Sequence, residues 1–178
     1  VTIATLSDIY SAITSAIGTP IFPLFVSNTL ALAILVICEE YIFRHKILRT
    51  LSRNISPIYA LLLTTFVHIL IKAVQFNLTG IDYLNLFLLN SALGFLYLRN
   101  QKVHRGLSFL FILLGLLHPV AGLPLWGHTC PSFFLFKHTS KASVWLTGGD
   151  AGPLASVGLT GIFLLLLLIS YLSWRRKN

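Results

Sequence analysis

Long apolar runs broken by short polar segments make up the chain, and the length of each run predicts the elements. Five runs approach what is needed to cross a hydrocarbon core of about 30 Å at about 1.5 Å per residue. They extend from Phe22 to Phe43, Pro57 to Gln75, Asp82 to Leu98, Gly106 to Trp126 and Ala151 to Ser173. Ahead of them Ile3, Leu6, Ile9, Ile13 and Ile17 recur at helical spacing, with Thr, Ser and Asp8 between. That pattern predicts an amphipathic helix on the membrane surface over residues 1–20. Residues 21–126 are then a four-helix membrane core, 127–150 an outer loop, and 151–178 a last transmembrane helix with a basic tail. The expected fold class is all-α, a polytopic membrane protein of about five transmembrane helices.

Composition supports this. Apolar residues are 56% of the chain, charged residues 10%, and the mean hydropathy is +0.83, whereas soluble domains carry about 25% charge. The charge is also unevenly placed. Arg44, Lys46, Arg49 and Arg53 follow the first run, Arg99, Lys102 and Arg105 the third, and Arg175, Arg176 and Lys177 the last. Ten of the thirteen Lys and Arg thus share one side if the spans alternate, leaving Lys72, Lys137 and Lys141 on the other. By the positive-inside rule the C-terminus is cytoplasmic, and the protein belongs in a bacterial inner or thylakoid-type membrane. Trp126 and Trp145 then fall at the outer interface and Trp174 at the inner one. Asp150 reads as the N-cap of the last helix, with Pro153 in its first turn. The net charge of +8 is therefore mostly topology. The basic clusters suit anionic membrane lipid, and no nucleic-acid partner is expected. Cys38 lies within a span and Cys130 in the outer loop, so no disulfide between them is expected.

Polar residues inside the spans are the candidates for chemistry, because ionisable groups there are costly and face a bundle interior or watery cavity. They are Glu39, Glu40, Arg44, His68 and His118. Their depths decide whether they can meet. His68 lies 11 residues after Pro57 and His118 13 after Arg105, about 17 and 20 Å along their helices. The stretch "EEYIFRHKILRTLSRN" contains no Gly or Pro and keeps helical apolar spacing, which extends the first helix to Arg53. Glu39 then sits 14 residues above Arg53, about 21 Å, level with both histidines. Arg44, four residues from Glu40, must turn inward and pair with it.

"EEYIFR" resembles the EExxxR signature of the CAAX protease and bacteriocin-processing (Abi-like) family of intramembrane glutamic proteases. The resemblance covers roughly Leu24 to Gly122 and includes a histidine one helix later, the glycine-led "GFLYLRNQK", and a second histidine, His118. It implies hydrolysis of a peptide bond in a membrane-associated substrate, with Glu39 and His68 activating water, His118 binding the oxyanion, and Arg44 holding Glu40. Two motif positions differ from the family. Thr64 stands where Phe is expected, with Phe66 nearby, and Gly122 stands where the last motif carries Asn or Asp. Gly122 brings no side-chain donor, and loss of one oxyanion donor costs about 100 to 1,000-fold in rate. Either Asn90 substitutes, or the chain is a catalytically impaired relative serving as a subunit or assembly factor of a larger membrane complex.

Other readings of the same residues remain open. The acids and Arg44 also suit a structural ion pair, and the histidines interhelical hydrogen bonds. No cofactor is expected. The alternatives are zinc on Glu39, His68 and His118, or chlorophyll or haem on a histidine. The outer segment "GHTCPSFFLFKHTSKASVWLTGGDAGP" reads equally as a loop against the bundle and as a lid or docking surface.

Overall fold

The computed structural model describes residues 21–115, 118, 120, 123–125 and 144–177. The expected surface helix and most of the outer loop, with Trp126 and Cys130, lie outside the described residues, as do Pro119 and Gly122. Helix α1 (Ile21–Glu40) continues without a break into a π-helical segment, Tyr41–Leu48, and then α2 (Arg49–Asn54). With no Gly or Pro to stop it, the apolar helix runs for 32 residues from Pro23 to Asn54, about 48 Å at helical rise. The turn comes where Pro57 forces Ser56 into extended geometry (ψ 142°), and Pro57 then occupies the first turn of α3 (Pro57–Gln75).

Helix α4 (Gly80–Asn100) starts with a capping box. The Thr79 hydroxyl accepts from the Asp82 backbone N–H, and the Asp82 carboxylate accepts from the Thr79 N–H. It stops where Gln101 turns left-handed (φ 55°). Helix α5 (His104–Gly115) is the described part of the expected fourth span. A short α6 (Val144–Thr147) precedes α7 (Val157–Arg175).

The start of the last helix differs from the sequence reading. Asp150 lies in a 3-10 turn, Gly149–Ala151, and Pro153 in a second, Pro153–Ala155, while Ser156 caps α7 by accepting from the Leu159 N–H at 3.2 Å. Two features keep the helix from starting earlier. Gly148, Gly149 and Gly152 all have positive φ, and Asn85 of α4 donates to the carbonyls of Leu154 and Ser156 at 2.6 and 3.1 Å.

Four helices among the described residues are long and apolar enough to cross a membrane. Their burial differs sharply, at 67% of the α4 window against 11% for both the long first helix and α7. Helix α4 is therefore the axis of the bundle. Its Leu88, Leu89 and Leu93 pack with Val36, Leu114, Leu154 and Phe163, and its Phe95 and Tyr97 with Leu48, Ala60 and Leu61. The outward faces of α1, α3 and α7 are apolar, as at Ile34, Phe66 and Leu164, which fits a lipid solvent. The molecule is an all-α membrane protein.

Candidate active site

Glu39 and Glu40 stand where α1 passes into the π-helical segment. Turns closed by i→i+5 bonds hold more residues than α turns, so the segment shifts the phase of the buried face just below the acids; such insertions recur at functional sites. The two carboxylates diverge. Glu40 is 2% exposed and faces Arg44 of the same helix at 3.4 Å, and Arg44 is equally buried. A Cβ on Gly106 would sit 2.6 Å from Glu40 Oε2, so α5 reaches this carboxylate only because that position carries no side chain.

Arg44 extends past Glu40 to α4, donating to Asn90 Oδ1 at 2.8 Å. Arginine has no acceptor, so the amide oxygen must face it. The same oxygen lies 2.7 Å from His68 Nδ1, which therefore carries a proton and donates. Asn90 thus fixes both the tautomer and the direction of His68. Its NH2 donates to the Leu86 carbonyl at 2.8 Å, and its oxygen is the acceptor that Arg44 and His68 share. The ring of Phe43 stacks on His68 at 4.3 Å and 10°. Phe66 points outward, and the buried Thr64 hydroxyl donates to the Ala60 carbonyl at 2.7 Å.

With Nδ1–H donating, the acceptor of a neutral imidazole is Nε2, which lies 3.6 Å from Glu39 Oε2 without a hydrogen-bond partner. That gap exceeds a direct hydrogen bond and is short enough for one water to bridge. Beside it lies a cavity of about 30 Å³ whose polar lining among the described residues is Glu39, His68, Lys72 and Asn90, the other described lining residues being aliphatic. This volume is large enough for one water molecule.

Lys72 has a contact that the sequence reading missed. Counted there as an outer-side charge, it is 2% exposed, and its ammonium donates to Glu39 Oε1. The signal was available, because "HILIK" puts Lys72 four residues after His68 and so on the same helical face. His118, half-buried, donates Nδ1–H to the Leu123 carbonyl at 3.0 Å and does not line the cavity. No three His, Cys, Asp or Glu side chains among the described residues converge as a metal-binding group. Cys38 is exposed.

Comparison with known proteins gives one family. The family model described as Rce1-like, type II CAAX prenyl endopeptidase Rce1-like, matches residues 20–113, which include Glu39, Glu40, Arg44, His68, Lys72 and Asn90. Searches of curated proteins and of solved structures give no significant match.

Proposed function

The chain belongs to the Rce1-like type II CAAX prenyl endopeptidases, and from that premise we propose that it hydrolyses a peptide bond in a membrane-associated CAAX-type substrate with water held by Glu39 and His68. The observation that carries the reading is the 3.6 Å gap between Glu39 Oε2 and the unpartnered His68 Nε2 at the edge of the cavity. A water donating one hydrogen to each acceptor turns its lone pairs toward the cavity, where a carbonyl carbon can be attacked. Glu39 takes the proton as general base and returns it to the leaving amine. Asn90 and Phe43 hold the imidazole, and the Arg44–Glu40 pair holds Asn90.

The C-terminal tail faces the cytoplasm in this reading. Lys72, buried on Glu39, no longer opposes that orientation, leaving Lys137 and Lys141 on the far side.

The test is cleavage of a farnesylated CAAX peptide by protein reconstituted in liposomes. Wild type should release the terminal tripeptide, and Glu39→Gln should abolish release while circular dichroism shows unchanged helicity. Cleavage by Glu39→Gln at the wild-type rate would refute the mechanism. Inactivity of both proteins, with co-purification of a stable membrane complex, would favour the assembly-factor reading.

A further inference from the structure

Water held by Glu39 and His68 reaches a substrate carbonyl only at the cavity, so the walls of that cavity decide which side chains fit beside the scissile bond. Its free space of about 30 Å³ is room for about one water molecule. A substrate side chain entering it must therefore be small or displace part of the wall. The polar edge is held by the hydrogen bonds of His68 and Asn90. The other described lining residues are aliphatic and nearly all stand on helices, with Val36 on α1, Leu89 and Leu93 on α4, and Leu114 on α5. Leu154 alone among them comes from a turn, the 3-10 segment Pro153–Ala155 ahead of α7. It also lies beyond residues 20–113, where the family match ends.

A turn ordinarily yields more readily than a helix, but this one is gripped. Asn85 of α4, 2% exposed, donates from one amide nitrogen to the Leu154 carbonyl at 2.6 Å and to the Ser156 carbonyl at 3.1 Å. Ser156 is also the cap of α7, so the turn is tied to two helices at once. The Leu154 side chain, 4% exposed, packs in the cluster that holds Val36, Leu114 and Phe163. It therefore cannot swing away from the cavity without breaking buried hydrogen bonds or opening the core.

We propose that Leu154 sets the size limit for the substrate side chain next to the scissile bond, with Asn85 as the positioning residue that holds it in the wall. The inference rests on the proposed protease reading and adds a specificity determinant to it. In a farnesylated CAAX substrate that releases its terminal tripeptide, the residue on the acyl side is the modified cysteine and does not vary. The side chain that Leu154 sizes is then the first of the released tripeptide.

The test uses the full chain in liposomes with farnesylated peptides that differ only at that residue, which is alanine, leucine or phenylalanine. One methylene in an apolar pocket changes kcat/KM by about 10 to 200-fold, so wild type should favour alanine over leucine at least about tenfold and reject phenylalanine. Leu154→Ala removes three carbons from the wall and should shift the alanine-to-leucine ratio at least about tenfold towards leucine. Leu154→Val should move it part of the way, and is read alone if the alanine variant does not fold. Asn85→Ala leaves Leu154 in place but frees its turn, and should shift the ratio in the same direction. The ratio of two substrates on one enzyme does not depend on how much of that enzyme is folded, so a merely structural role for either residue leaves it unchanged. Ratios within about threefold of wild type for the Leu154 variants would overturn the role of Leu154, and the same result for Asn85→Ala alone would overturn its positioning role. Absence of cleavage of all three peptides by the wild type would overturn the protease reading itself.

Discussion

Replacing Arg44 with methionine removes one partner of a buried ion pair and leaves its neighbours in place. At the observed 3.4 Å separation, two unit charges at an effective dielectric constant of about 20 attract by about 5 kcal/mol. Breaking a buried pair on one side generally costs about 3–5 kcal/mol, because the remaining charge stays in the interior. The lower end applies here for two reasons. Glu40 Oε1 and Arg44 Nε make no hydrogen bond, so the pair is not optimally aligned, and Glu40 can take up a proton once Arg44 is gone. The expected loss is about 3 kcal/mol. The double variant Glu40→Gln, Arg44→Met removes both charges and should recover more than half of it. Reversible unfolding in mixed micelles, followed by tryptophan fluorescence, measures all three proteins. A loss below about 1 kcal/mol for Arg44→Met, or a double variant no more stable than the single, would show that the pair does not lock this part of the bundle.

Other variants probe other parts of the structure. Asn90→Leu removes the acceptor that fixes His68 Nδ1 and should lower kcat at least about tenfold, part of the roughly 10²–10⁴ that general-base catalysis contributes; an unchanged peptide-cleavage rate would show that His68 needs no orientation. Gly152→Ala puts a Cβ 1.9 Å from the Pro124 carbonyl oxygen at φ 95° and should cost at least about 1–3 kcal/mol in the same unfolding assay. Gly161→Ala, with nothing within 4 Å of the new Cβ, should instead be neutral or gain up to about 1 kcal/mol from helix propensity. Ser156→Ala removes the cap of α7 and should lower stability by about 0.5–2 kcal/mol.

The continuous first helix was legible because its evidence is local. The absence of Gly and Pro between Glu39 and Asn54, and an apolar pattern that keeps helical period, place the acids within a longer element. Arg44 followed from the same logic, since a charge inside a span must find a partner and Glu40 stands four residues away. Lys72 shows the converse. Position along the chain put it near an outer helix end, but its long side chain reaches back along α3 to a carboxylate on another helix. The orientation of Asn90 was not legible for a related reason. An amide offers either a donor or an acceptor, and the direction is set by Arg44 and His68, which approach it from two other helices.

Sequence alone determined that this is a helical membrane protein and that Glu39 and Glu40 lie inside a long apolar helix, because the bilayer constrains length, apolarity and charge residue by residue. It also set Glu39 level with His68 and His118, of which His68 lines the cavity. Tertiary structure decided the division of labour. Glu39 faces the cavity with Lys72 and His68, Glu40 turns away to Arg44, and Asn90 joins the two halves through one oxygen. Those assignments depend on how helices rotate and cross, which is set by packing around α4 and by side-chain reach between helices, and neither is encoded in the spacing of any single one.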